Sequence, residues 1–109
     1  PWLKNNPPKV EWFEGQFESG ETDINDSLIN ELKKTYSETT NKDPILEGVT
    51  YGSDLRLFTN HANIPSVLFG PGDVKIAHAA NENVKIEEVL KSVKTIANMI
   101  TRWCGGSFG

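Results

Sequence analysis

The chain has 109 residues, of which 37% are hydrophobic and 24% are charged, and its formal net charge is −4. This length suits one domain at most, with room to bury a core. The acidic balance and the dispersed basic residues argue against a nucleic-acid partner, because binding to phosphate backbones needs clustered positive charge. No apolar run of membrane-spanning length and no signal-peptide pattern is present, so we expect no membrane partner.

The single cysteine, Cys104, excludes a disulfide within the chain and fits a reducing compartment, which predicts a cytoplasmic protein. Cys104 follows a long apolar helix pattern and is expected to pack rather than to act as a nucleophile. The chain begins at Pro1 rather than Met. We therefore expect a processed product or a piece of something longer.

The first half of the chain predicts an irregular entry, a strand, a hinge and a helix. Residues 1–8 hold too much proline for regular structure, and residues 9–17 are rich in bulky, strand-prone side chains. A polar turn over residues 18–22 indicates a hinge. Asn25 or Asp26 suits the N-cap of a helix that ends near Ser37. Its apolar stripe comprises Leu28, Ile29, Leu32 and Tyr36.

The second half predicts two short strands, over residues 45–50 and 66–69, separated by a short helix that Ser53 caps and that runs to Phe58. A final helix has apolar residues at helical spacing from Ile86 to Trp103 and stops at Gly105-Gly106. Strands that alternate with helices predict an α/β fold with a largely parallel sheet covered by helices. The apolar stripe of the last helix is Ile86, Val89, Leu90, Val93, Ile96, Ala97, Ile100 and Trp103.

His78 lies between small residues after the Gly70-Pro71-Gly72 turn, and a neutral imidazole is a good zinc ligand. The chain has no HxxxH, HxD or CxxC pairing, so the pattern alone favours a loop histidine bonded to backbone. The turn lacks both phosphate-loop patterns, GxGxxG and GxxxxGK[ST]. It is either a rigid turn or a point where backbone approaches a ligand. His61, in a polar loop, is expected to be exposed.

Ser53 and Arg56 stand at a strand-to-helix junction, where backbone N–H groups receive anions and the planar arginine fork binds a carboxylate. In the alternative, Ser53 and Asp54 only cap the helix and Arg56 is solvated. The pattern alone favours this alternative.

Three motifs in order, GVTYGSDLRLF, NIPSVLFGPGD and AHAANENVKIEEVLKSVKTIANMI, resemble the C-terminal part of a zinc-hydrolase family. That family comprises the aminoacylases, acetylornithine deacetylases, succinyl-diaminopimelate desuccinylases and glutamate carboxypeptidases. The resemblance covers residues 44–103. It implies that residues 1–22 are the end of a lid or dimerisation domain with its hinge, and that residues 23–109 are the C-terminal portion of the α/β catalytic domain.

The resemblance also implies a zinc-dependent amidohydrolase that releases an acyl group from an N-acyl amino acid or a related amine. Members hold two zinc ions, with cobalt or manganese as alternatives, and the full-length proteins are expected to be homodimers. By the same resemblance, His78 matches the last metal ligand and Arg56 matches the arginine that meets the substrate carboxylate. Four further residues are implied around them: Ser53 in the anion-receiving turn, Gly52 and Gly72 lining the pocket, and Glu82 orienting the loop of His78.

The family's other metal ligands and its general base lie upstream of the matched motifs. Both are required to make a nucleophilic hydroxide from zinc-bound water. The 109 residues alone are therefore expected to be inactive, with at best weak zinc affinity. A second class of protein stays open, namely a non-catalytic α/β binding or assembly module with the same skeleton.

Overall fold

A computed structural model describes residues 1–13 and 15–105 of the chain. It contains three α-helices, a π-helical turn over Leu57–His61 and a 3-10 turn over Val74–Ile76; the α-helices are α1 (Trp2–Asn5), α2 (Ser27–Thr40) and α3 (Ile86–Trp103). The short α1 corrects the expectation of an irregular entry. Pro1 stands at its N-cap and the next prolines follow its end, so no proline interrupts its hydrogen bonds.

Helix α2 begins where the sequence predicts. The Asp26 carboxylate caps it by accepting a hydrogen bond from the Leu28 N–H at 2.8 Å. The helix ends at Thr40 rather than near Ser37, because the left-handed residue that closes it is Asn41, with a φ of 54°. Asparagine tolerates this conformation and commonly ends helices.

Helix α3 has the predicted bounds and the predicted charges, with Glu87 and Glu88 in its first turn and Arg102 in its last. Gly105 follows it with a φ of 68°, whereas Gly106 lies outside the described residues. The prediction that Cys104 packs is wrong, since the helix ends at the surface and this thiol is exposed. Among the described residues, no helix is both long enough and apolar enough to cross a bilayer.

Helices α2 and α3 pack against each other, and their buried residues are Ile29, Thr35, Ser92, Thr95 and Met99. Thr35 and Thr95 are the most buried, at 1% and 0% exposure. Small side chains at such a contact let two helices approach closely. At the rim, Arg102 of α3 pairs with Glu31 and Glu38 of α2.

The apolar stripe of α3 is largely exposed, which corrects the expectation of a covered sheet and a sizeable core. Only Ile29 and Met99 are buried hydrophobic residues in the described part of the chain. The radius of gyration is 18.7 Å, against about 13 Å for a compact domain of this size. Periodicity identifies the apolar face of a helix but not what covers it. The exposed members are Ile86, Leu90, Val93, Ile96, Ile100 and Trp103.

The three predicted strands, over residues 9–17, 45–50 and 66–69, are not strands in the described part of the chain; residue 14 lies outside it. A strand needs a partner for its N–H and C=O groups, and none of these segments forms a ladder with another. Residues 44–46 and 67–69 instead line one small cavity against α2. The ring of Phe69 meets Tyr36 edge-on, with centroids 6.1 Å apart. The α/β architecture expected from the sequence is therefore not confirmed.

Candidate functional site

The predicted short helix after Gly52 is present as a widened helical turn. The Ser53 hydroxyl accepts a hydrogen bond from the Leu55 N–H at 3.3 Å and so caps the start of the turn. The turn closes with the Ala62 N–H donating to the Leu57 carbonyl at 3.1 Å, five residues back. Such π-type turns are frequent at functional sites. Arg56 stands at the beginning of this turn.

A segment that we call the hinge segment, residues 17–22, runs along this turn. The ring of Phe17 lies directly on Gly52, where an added Cβ would stand 2.9 Å from the ring. The Ser19 carbonyl accepts a hydrogen bond from the Asn60 side-chain amide at 2.9 Å. The close approach explains why residue 52 is a glycine.

The remainder of the hinge segment is anchored as firmly. A Cβ added at Gly20 would lie 2.6 Å from the Leu55 side chain, so the backbone of the hinge segment contacts this side chain directly. Thr22 then forms hydrogen bonds to the backbone of Ser66. The segment that the sequence indicates as a hinge is thus held along its length.

Arg56 lies between the hinge segment and the turn, with its side chain 23% exposed. Its guanidinium carbon is 5.4 Å from the centre of the Phe17 ring, which is cation–π range. Its Nη1 is 3.9 Å from the Glu18 carboxylate. Its Nε is buried and has no hydrogen-bond partner in the described part of the chain. The guanidinium is therefore held in place, and its buried Nε is left without a hydrogen bond.

Glu18 joins this cluster through His61, whose Nε2 lies 3.0 Å from a Glu18 carboxylate oxygen. The hydrogen bond and charge of His61 hold the pKa of Glu18 below its usual range, and Asn60 and Arg56 act in the same direction. His61 is exposed, as expected. Sequence reasoning missed Phe17 and Glu18, because 35 to 43 residues separate them from their partners and no motif spacing connects them.

His78 lies in a second cluster, beside the start of α3. Its backbone has a φ of 63°, a left-handed conformation that histidine adopts more readily than most residues. Its N–H donates to the Glu82 carboxylate at 3.1 Å. The imidazole is exposed. Within residues 1–13 and 15–105, no three His, Cys, Asp or Glu side chains gather as metal ligands, so these residues do not complete a metal centre.

Gly72 lies near the first turn of α3. It has a φ of 98°, which favours glycine, and its N–H donates to the Glu88 carboxylate at 3.2 Å in the first turn of α3. The structure thus gathers Gly52, Ser53 and Arg56 in one cluster. His78 and Glu82 form the second cluster, and Gly72 contacts Glu88 separately. No hydrogen bond or ion pair of the described residues joins these groups to the first cluster.

The family model for Peptidase family M20/M25/M40 matches residues 8–102. The chain belongs to this family, and the resemblance carried by the three motifs is confirmed.

Three relatives illustrate the family likeness. The chain is 31% identical over 115 residues to the N-formyl-4-amino-5-aminomethyl-2-methylpyrimidine deformylase of Halalkalibacterium halodurans, an alignment of 95% of the chain and 26% of that protein. The deformylase of the same name from Bacillus subtilis is 31% identical, with 94% and 26% covered. The acetylornithine deacetylase of Myxococcus xanthus is 29% identical, with 86% and 24% covered.

The chain therefore spans about a quarter of the length of these curated relatives. No solved structure gives a significant match.

Proposed function

We propose that the chain is part of a metal-dependent amidohydrolase that deacylates an N-acyl amino acid or a related amine. The observation that carries this proposal is the family match over residues 8–102. The relatives support it, since their names describe the removal of formyl and acetyl groups from nitrogen. The 109 residues alone are expected to be inactive, because the described part gathers no set of metal ligands.

In this proposal His78 supplies one ligand to a centre of two zinc ions, with cobalt or manganese as alternatives. The exposed imidazole and the Glu82 carboxylate that fixes its backbone suit such a role. The other ligands and the general base come from outside the described residues. Bound metal would supply an activated water for hydrolysis of the amide.

The first cluster is proposed to receive the substrate. Arg56 binds a substrate carboxylate through its planar donors, and Ser53 lies in the same turn. Gly52, beside this turn, and Gly72, near the first turn of α3, are proposed to line the pocket through their backbone. This assignment favours an N-acyl amino acid as substrate.

A second candidate substrate is a formylated aminomethylpyrimidine, as in the names of two relatives. That compound has no carboxylate. The observation that favours it is the Glu18 carboxylate 3.9 Å from Arg56, which already balances the charge of the guanidinium within the chain. A substrate without a carboxylate then needs no further partner at this position.

The missing strands fit the same proposal. Residues 45–50 and 66–69 would pair with strands from the rest of the catalytic α/β domain, and the exposed stripe of α3 would cover the resulting sheet. Residues 1–22 would belong to the lid and hinge, and residues 23–109 to the catalytic domain. We further propose a cytoplasmic homodimer that dimerises through the lid.

The test uses the longest polypeptide that contains this chain, purified with its metal. We expect elemental analysis to find two metal ions per chain. We also expect hydrolysis of N-acetyl-L-ornithine or of the formylated aminomethylpyrimidine, and a chelator should abolish this hydrolysis. His78→Ala should lose one ion and most of kcat, while His61→Ala, the matched histidine variant, keeps both ions. If metal content and rate survive His78→Ala, the ligand assignment is wrong. If no N-acyl amine is hydrolysed, the non-catalytic binding or assembly module is the better description.

A further inference from the structure

The contacts of Arg56 with the hinge segment suggest a role for two residues outside the three motifs. Phe17 and Glu18 hold the guanidinium from two directions, the ring at 5.4 Å and the carboxylate at 3.9 Å. Neither contact uses a hydrogen-bond donor of Arg56. These contacts restrict the side chain while its terminal Nη groups make no hydrogen bond to the described residues, and a restricted guanidinium binds a planar anion with less loss of entropy.

Glu18 is itself fixed rather than free to follow Arg56. Its carboxylate is bonded to His61 at 3.0 Å, and Ser19 beside it accepts a hydrogen bond from Asn60. Both partners lie on the same helical turn that carries Arg56. The helical turn thus holds the Glu18 carboxylate through His61, and Glu18 in its place contacts Arg56 at the start of the same turn. The hinge segment, which carries Glu18, is part of this set of contacts.

We propose that Glu18 is a positioning residue, which holds the Arg56 guanidinium in the orientation that receives a substrate carboxylate. The inference rests on the proposed function, specifically on Arg56 as the carboxylate-binding residue. It adds that recognition of the carboxylate depends on the hinge segment being seated on the turn. Glu18 itself does not touch the substrate.

The kinetic test compares two substrates that differ only in the carboxylate, N-acetyl-L-ornithine and its decarboxylated analogue N-acetylputrescine. In the longest polypeptide that contains this chain, Arg56→Ala should reduce the preference in kcat/KM for the first substrate by on the order of tenfold or more. Glu18→Gln should reduce it by about twofold to fivefold, chiefly through KM, as expected for one exposed ion pair. Glu18→Asp should restore part of the preference.

Two controls separate positioning from general damage. The double variant with Glu18→Gln and Arg56→Ala should show the same substrate preference as Arg56→Ala alone, because Glu18 acts only through Arg56. Glu47→Gln, at an exposed glutamate, should leave the preference unchanged. If Glu18→Gln lowers kcat/KM for both substrates equally, or acts as strongly without Arg56, the inference is overturned.

A second measurement does not depend on activity. In the longest polypeptide that contains this chain, the Arg56 Nε–H should show restricted motion in ¹⁵N relaxation, and Glu18→Gln should loosen it. Arg102, the only other arginine of these 109 residues, pairs with α2 and serves as the internal reference. If neither N-acyl amine is hydrolysed, the proposed function fails and this measurement decides the inference. Unchanged Arg56 motion in Glu18→Gln then overturns it.

Discussion

The side chain of Thr22 bonds both backbone groups of Ser66. Its hydroxyl donates to the Ser66 carbonyl at 2.6 Å and accepts from the Ser66 N–H at 2.9 Å. One hydroxyl therefore satisfies the donor and the acceptor that a neighbouring strand would otherwise pair. The end of the hinge segment is in this way fastened to the first residue of the 66–69 segment.

Thr22→Val should remove both hydrogen bonds without a change in side-chain shape. The part-buried N–H and C=O of Ser66 lose their partner, and we expect a loss of about 1 kcal/mol in the free energy of unfolding. Hydrogen exchange at the Ser66 amide should accelerate by a corresponding factor. Thr22→Ser is the control, because it keeps the hydroxyl. Equal exchange rates in the two variants would show that the paired bonds contribute nothing.

Neighbouring residues of α3 should respond very differently to truncation. Met99 is 9% exposed and faces α2, whereas Ile100 is 56% exposed. In the 109-residue chain, Met99→Ala should cost about 2 kcal/mol of unfolding free energy by creating a cavity. Ile100→Ala should cost less than about 0.5 kcal/mol, since its side chain is already in water. Chemical denaturation of both variants provides the measurement.

The same pair tests the proposed sheet. In the longest polypeptide that contains this chain, a sheet seated on α3 would bury Ile100, so Ile100→Ala should become nearly as costly as Met99→Ala. If Ile100→Ala remains harmless there, the stripe of α3 does not cover a sheet.

Helices α2 and α3 were predictable because their signals are local. The cap at Asp26, the periodicity from Ile86 and the charges of the first and last turns of α3 each lie within a few residues of the element they define. Strand formation at residues 45–50 and 66–69 was not predictable in this way, because a strand depends on a partner distant in sequence. The face of α3 that packs was also wrongly predicted, since Thr95 is hidden and Ile96 exposed.

Some contacts within the candidate site were predictable for the same reason, because they join residues close in sequence. Ser53 and Arg56 belong to one motif and share one turn, and His78 and Glu82 share one loop. The contact of Glu18 with His61 joins residues 43 apart and involves no motif. Only the folded chain brings the hinge segment against Arg56.

The ionisation of the Glu18 carboxyl should make the free energy of unfolding depend on pH. Its pKa in the folded chain lies below the ordinary value of 4.5, chiefly because of the hydrogen bond and charge of His61. A depressed pKa means that the ionised group stabilises the fold. This stabilisation is complete above about pH 4.5 and is lost as the pH falls through the lower folded value.

The difference in unfolding free energy between the wild type and Glu18→Gln should therefore shrink as the pH falls from above about 4.5 through the lower folded pKa of Glu18. Glu87, whose pKa is lowered by Lys91, titrates in the same direction in both proteins, so the difference isolates Glu18. A difference that is constant with pH would show that the contact with His61 does not persist in solution.

Gly48 and Gly52 are not in the left-handed conformation, so they offer a matched test of the contact beneath Arg56. A Cβ at Gly52 would stand 2.9 Å from the Phe17 ring, whereas one at Gly48 would meet nothing within 4 Å. Gly52→Ala should push the ring away from the guanidinium and forfeit the cation–π contact, at a cost of about 1 kcal/mol. Gly48→Ala should be neutral or stabilise by about 0.5 kcal/mol, through the entropy of the unfolded chain. Nuclear Overhauser contacts between the Phe17 ring and the Arg56 side chain should vanish in Gly52→Ala and persist in Gly48→Ala. If they persist in both variants, the ring does not rest on residue 52.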